Sequence, residues 1–329
     1  MNSIWKQIGL AAVMGLLLPA MVLAFATRSR PETGETTAAP APAVPSGTTA
    51  PSAASDLTVP VLGKDGTVTD MDLNTYLVGV VLAEMPADFE PEAHKAQAVV
   101  ARTYAMKRRT GSKHEGGAVC TDPACCQGYL SPEDYVNRGG SAETVEEIRR
   151  QVLATGDMVL TYQGALIDAT YFSCSGGRTE DALAVWGTDV PYLQSTDSPG
   201  EENAAHNTDT VTFTGEAFAA ALGEELVGSP ETWLGDVTYT EGGGVATMVI
   251  GAETYTGTEL RQMLGLRSTV FSMTAQDNTV TVVTHGFGHR VGMSQYGADA
   301  MAASGSSYEE ILAHYYQGTA LESAVRFAA

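Results

Sequence analysis

Residues 73–84 read LNTYLVGVVLAE, uncharged until the final position. On a helix of 3.6-residue period, Leu73, Tyr76, Leu77, Val80 and Glu84 share one stripe, while Val78, Gly79 and Leu82 leave little polarity on the other side. Such a helix has to be wrapped by other elements nearly all round, so the chain must build its core about it. The segment also poses a chemical question, because it closes on a carboxylate followed directly by Met85 and Pro86.

At the C-terminal end of a helix the unpaired carbonyls carry partial negative charge and disfavour a second anion. Removal from water pushes the same way and raises a carboxyl pKa. A carboxyl that keeps its proton near neutrality is what a general acid requires. A structural role competes with this: Glu84 paired with a nearby base, Arg102 being the obvious candidate, would stay ionised.

The chain has 329 residues, enough to bury a large core. Its 39 acidic against 18 basic residues give a net charge of −21. That excludes nucleic acid as a partner, since phosphate binding needs clustered Lys and Arg, and argues equally against adhesion to an anionic membrane surface.

Ile8 to Ala26 reads IGLAAVMGLLLPAMVLAFA without a charge. At ~1.5 Å per residue it can cross a hydrocarbon layer of ~30 Å. Ala24 and Ala26 would suit signal cleavage, but the run exceeds the roughly 7–15 residues of a signal core, so residues 1–26 are expected to form a transmembrane anchor. Lys6 holds the N-terminus inside, and the rest of the chain lies outside the cytoplasm. Residues 27–56, rich in Pro, Ala and Thr, cannot bury enough surface to fold and are expected to be a disordered linker.

The folded part is expected over residues 57–329. LTVPVLGKDGTVTDMD predicts two short strands about a Lys-Asp-Gly turn, and Asp70 or Asp72 offers an N-cap to the segment ending at Glu84. PEAHKAQAVVARTYAMKRRTG predicts a second helix, with Pro91 near its first turn and Gly111 past its end. Residues 206–283 alternate β-branched runs with short helical ones and predict a mostly-β accessory lobe. The fold class is therefore α+β: a helical core, an inserted mostly-β lobe, and one transmembrane helix in front.

HEGGAVCTDPACCQGY places His114, Cys120, Cys125 and Cys126 close together, and four such ligands can close a tetrahedral zinc site. A Cys120–Cys126 disulfide is the competing reading for an oxidising compartment; Cys174, remote in sequence, is expected to be buried. In HGFGHRVGMSQYGA, His285 and His289 lie four apart, but so glycine-rich a stretch makes a poor helix and a poor two-histidine metal site. TYFSCSGGRTE, with Tyr171, Ser175, Gly176 and Gly177, lacks the spacing of a serine nucleophile. Trp186 and Tyr192 suit either stacking on a ligand or core packing.

YLVGVVLAEMPADFEPEAHKAQAVVARTYAM, YFSCSGGRTEDALAVWGTDVPYLQSTDSPG and GFGHRVGMSQYGADAMAASGSSYEEILAHYYQGTAL, in that order, resemble the stage II sporulation protein D family, which includes amidase enhancers. The resemblance covers nearly all of residues 57–325. It implies a membrane-anchored lytic transglycosylase that acts on peptidoglycan during engulfment of the forespore and prefers glycan strands stripped of stem peptides by a partner amidase. It further implies a membrane scaffold partner. The acid–base residue of the family is the glutamate of AEMP, here Glu84. Arg102 is expected to reach substrate or to position Glu84. His289, Ser294 and Gln295, with Tyr296, are expected to line the glycan groove beside Tyr171 and Ser175. Some relatives carry zinc in the loop matching the cysteine cluster, usually with a histidine where Cys125 stands, which implies a structural zinc on His114, Cys120, Cys125 and Cys126.

The expected reaction cuts the bond between N-acetylmuramic acid and N-acetylglucosamine and leaves a 1,6-anhydro end, without catalytic metal. The rival expectation is an amidase enhancer that binds strands without cutting them.

Overall fold

The computed structural model describes residues 57–202 and 204–328. The expected anchor over residues 1–26 and linker over 27–56 lie outside the described residues. Among the described residues, no helix is long and apolar enough to cross a membrane.

Strands β1 (Thr58–Leu62) and β2 (Val68–Asp72) pair antiparallel. The second runs straight into α1 (Leu73–Glu84), whose first turn is capped by Asp72 accepting from the Thr75 amide at 2.8 Å. Tyr76, Leu77, Val78, Val80 and Val81 are all buried, as a helix without a polar face demands.

Helix α2 (Pro91–Gly111) is the axis of the core. Ala98, Ala101 and Ala105 let α1 approach closely, while Ala93, Ala96, Val99 and Val100 face a second apolar cluster. Strand β3 (Val119–Cys120) joins β1 in parallel, and α3 (Pro132–Asn137) and α4 (Ala142–Ala154) close over α1. Strands β4 (Met158–Tyr162) and β5 (Ala165–Leu166) follow, then β6 (Tyr171–Phe172) and α5 (Ala182–Trp186).

Residues 208–285 build their own layer, with β7 (Thr208–Thr214), α6 (Gly215–Leu222), β8 (Leu234–Tyr239), β9 (Val245–Ile250), β10 (Glu253–Thr256), α7 (Gly257–Met263), β11 (Val270–Gln276) and β12 (Thr279–His285). Two antiparallel three-stranded sheets, ordered β10-β9-β8 and β11-β12-β7, enclose Phe218, Trp233, Ile250, Leu260, Val280 and Val282. The chain then returns to the core as β13 (Met293–Ser294), α8 (Gln295–Ala303), α9 (Tyr308–Tyr315) and β14 (Ala320–Ser323), the last pairing with β4.

Arg290 joins the two parts. It is buried, in the left-handed region at φ 67°. Its guanidinium donates to the carbonyls of Ser175 at 2.8 Å, Arg178 at 2.7 Å and Gly242, and lies 3.5 Å from the Glu180 carboxylate. The architecture is a mixed α+β fold of several small sheets around a helical centre.

Candidate functional site

Two features of the chain trace make the site. Strand β13 pairs in parallel with β6, setting Met293 beside Tyr171 and Ser294 beside Phe172, so the middle and final motif blocks meet. The loop after Cys126 runs along α1, where the Leu130 amide donates to the mid-helix Gly79 carbonyl at 3.0 Å. Between these two walls lies a cavity of about 640 Å³.

Glu84, partly exposed, looks into this cavity and is the only acidic side chain among the described residues that line it. Burial raises its carboxyl above the ordinary glutamate range; the Gly128 amide, donating to Oε1, and the Tyr171 hydroxyl oppose that shift. The carboxyl is thus held between two influences, a dry seat favouring the neutral acid and two donors favouring the anion. A Cβ at residue 128 would lie 2.8 Å from Glu84 Oε1, so only glycine brings the amide this close.

Tyr171, His289 and Gln295 line the cavity with Glu84. The Tyr171 hydroxyl also lies 3.4 Å from Gln127 Oε1, and the Gln127 amide donates to the Tyr76 hydroxyl at 3.1 Å. Burial, with the Arg261 charge adding to it, pushes His289 down to about 4, so the ring is neutral at physiological pH. Its Nδ1 accepts from the Val291 amide at 3.1 Å, and the ring packs on Phe172 and Trp186 at 5.7 and 5.4 Å. Trp186, 46% exposed, and Phe287, 40% exposed, present an aromatic rim to the cavity. Tyr192 instead packs on Tyr162, and its hydroxyl accepts from the Asp168 amide at 3.1 Å.

Arg102 is not where the sequence places it. It is fully buried and turned away from the cavity lining, donating to Thr155 Oγ1 and the Met158 carbonyl at 3.0 Å each and to the Val152 carbonyl at 3.5 Å. The Thr155 hydroxyl and the Val152 and Met158 carbonyls take its N–H donors, and the Asp157 charge favours its protonated form. Arg102 is therefore neither a groove residue nor the counter-ion of Glu84.

Ser175 and Ser294 are likewise absent from the lining. Both are buried on Glu201, whose Oε2 accepts from Ser175 N and Oγ at 2.7 Å, Gly176 N at 2.9 Å and Gly177 N at 3.3 Å. Its Oε1 accepts from Ser294 Oγ and from Ser198 Oγ at 2.7 Å. Ser198 reaches the Tyr315 hydroxyl at 2.6 Å, and a Cβ on Gly297 would lie 2.1 Å from both oxygens. One carboxylate thus ties the β6 turn to the start of α8 and sets Gln295 at the cavity edge. Tyr296, expected in the groove, is also absent from the lining and sets its ring edge-on to Phe89 at 4.9 Å.

His114, Cys120, Cys125 and Cys126 converge, with their ligand atoms all within 4.8 Å of one another, and Cys125 and Cys126 among them line the cavity. All the cysteines are free thiols, and Cys174 is buried. Cys125 Sγ lies 3.5 Å from His114 Nε2. Three soft sulfurs and one imidazole at this separation fit a four-coordinate zinc ion, which would clamp the loop that carries Gly128. Such a closed set leaves no position for water or substrate.

Sequence reasoning missed Gly128, Gln127, Glu201 and two cavity cations, Arg108 and Lys113. Gly128 alone had a visible signal, a glycine immediately past the cysteine cluster.

The stage II sporulation protein (SpoIID) family model matches residues 63–162. Stage II sporulation protein D of Bacillus amyloliquefaciens is 39% identical over 267 residues, spanning 79% of this chain and 77% of that protein. Its counterpart in Bacillus subtilis (strain 168) is 40% identical over the same shares. An amidase enhancer of Bacillus subtilis (strain 168) is 29% identical over 75% of this chain and 40% of its own length. With the AEMP glutamate on its buried helix, the paired motif blocks and this extent of identity, the chain belongs to the stage II sporulation protein D family.

Proposed function

We propose that the chain is a peptidoglycan lytic transglycosylase in which Glu84 serves as both acid and base. The observation that carries this reading is the solitary carboxyl of the cavity. Hydrolytic glycosidases generally use two carboxyl groups, roughly 5–9.5 Å apart, and Glu84 has no acidic companion among the described lining residues. A lytic cut needs one. The neutral acid gives its proton to the glycosidic oxygen, and the resulting carboxylate takes a proton from the C6 hydroxyl of the muramic residue as that oxygen closes on C1.

Both halves of this cycle suit the surroundings of Glu84. Burial favours the protonated form before the cut, while the Gly128 amide and Tyr171 hydroxyl support the anion formed during it. The rim of Trp186 and Phe287 suits stacking on sugar rings.

The substrate is a glycan strand freed of its stem peptides, and the setting is the cell envelope during sporulation, with the chain anchored by residues 1–26 and its folded part outside the cytoplasm. An amidase that strips the strands and a membrane scaffold complete the machinery. Zinc on His114, Cys120, Cys125 and Cys126 has a structural role.

A second reading is favoured by the amidase-enhancer relative: a protein that holds strands for an amidase without cutting them. Mass spectrometry of denuded glycan digests separates the two. Anhydro-muramic ends support the lytic enzyme, reducing ends a hydrolase, and an uncut polymer the enhancer. Glu84→Gln is expected to lower cleavage by about 10²–10⁴-fold while strands remain bound.

A further inference from the structure

In a chain with 39 acidic and 18 basic residues, the cavity is an exception. Its charged lining residues are Glu84, Arg108 and Lys113, one carboxyl against two cations. Neither cation is spent on Glu84, whose environment is set by burial, the Gly128 amide and the Tyr171 hydroxyl.

Arg108 is held in place but underused. Its guanidinium lies 4.8 Å over the Tyr104 ring, Nη1 donates to the Gly111 carbonyl at 3.3 Å, and Nε is buried without a hydrogen-bond partner. Asp168 approaches it only to 3.9 Å and is engaged at 2.6 Å by Lys107. Lys113, exposed, bonds the Cys125 carbonyl at 2.9 Å and has further donors to offer. A held guanidinium and an exposed ammonium on one cavity with an aromatic rim call for an anion carried on an otherwise neutral ligand.

A glycan strand of peptidoglycan has one group of that kind. Each muramic residue carries a lactyl ether on C3, a few bonds from the C1 that reacts. Joined to a stem peptide, its carboxyl is a neutral amide; once the peptide is removed it is a carboxylate at neutral pH. We propose that Arg108 and Lys113 form a carboxylate subsite for this free lactyl group, through which the cavity distinguishes stripped strands from peptide-bearing ones by charge. The inference rests on the glycan reading of the cavity given above and names the side chains that would select within it.

The test uses the full-length chain and two probes: denuded glycan strands, and the same strands with their lactyl carboxyls converted to methylamides. The modified strand removes the charge with little added bulk and requires no change in the protein. The unaltered chain is expected to favour the free carboxylate by about tenfold in KM. Arg108→Gln should reduce that ratio below about threefold, and Arg108→Lys should retain more of it. A ratio near one in the unaltered chain, or an Arg108→Gln variant weakened equally toward both strands, overturns the subsite. Binding of both probes to Glu84→Gln gives the same ratio without cleavage. A lack of anhydro products would therefore remove the lytic reading while leaving the binding ratio to decide the subsite.

Discussion

The Gly128 amide donates to Glu84 Oε1, and this bond ties the end of α1 to the loop that carries the cysteine cluster. It joins the proposed catalytic carboxyl to a segment 44 positions away in sequence. Gly128→Ala is expected to push the carboxyl or the loop aside and to lower cleavage by about a hundredfold. Circular dichroism should remain that of the parent. Unchanged cleavage would mean that the hydrogen bond is dispensable.

Burial raises the Glu84 carboxyl in the folded chain above its ordinary value of 4.5, so the folded state keeps that proton to higher pH than the unfolded chain does. The stabilisation this contributes is complete below the unfolded value and is lost as pH rises through the folded one. Glu84→Gln cannot ionise. Its Tm relative to the parent should therefore be higher at about pH 8 than at about pH 4; an equal difference at both would show that burial exerts no such pressure.

Glu201 collects hydrogen bonds from Ser175, Gly176, Gly177, Ser198 and Ser294. Glu201→Ala orphans these donors in a buried place, and denaturant unfolding should report a loss of about 3 kcal/mol or more. A loss below about 1 kcal/mol would show that water replaces the carboxylate without penalty.

Trp186 is half exposed at the end of α5 and rests on His289. Trp186→Ala is expected to raise KM for glycan by about three- to tenfold with little change in Tm. A large fall in Tm with KM unchanged would assign it to packing alone.

If the thiol cluster holds zinc, elemental analysis of the purified chain gives about one ion per molecule, and Cys120→Ser lowers it. Chelation should then release the loop around Gly128 and reduce cleavage. A metal-free protein with a mass two hydrogens short would point to the Cys120–Cys126 disulfide instead.

What was legible in the sequence was local. The cap at Asp72, the all-round burial of α1 and the position of Glu84 at its end follow from spacing within one segment. The partners of polar side chains were not legible, because they are supplied by remote segments. Arg102 ends on the Thr155 hydroxyl and the Met158 carbonyl, more than 50 positions away where α4 passes into β4, and Ser294 meets a carboxylate 93 positions away in a loop without a pattern. The motifs that looked like a groove wall divide accordingly. Tyr171, His289 and Gln295 face the cavity, while Ser175 and Ser294 build the frame behind it.

The most direct measurement is a carbon-13 titration of the Glu84 carboxyl, free and with a denuded strand bound to a non-cleavable analogue of the scissile bond. A midpoint above the ordinary 4.5, and higher still once the strand excludes water, is the expected result. A carboxyl that titrates at or below 4.5 in both states would be ionised throughout the working pH range and would have no proton to give.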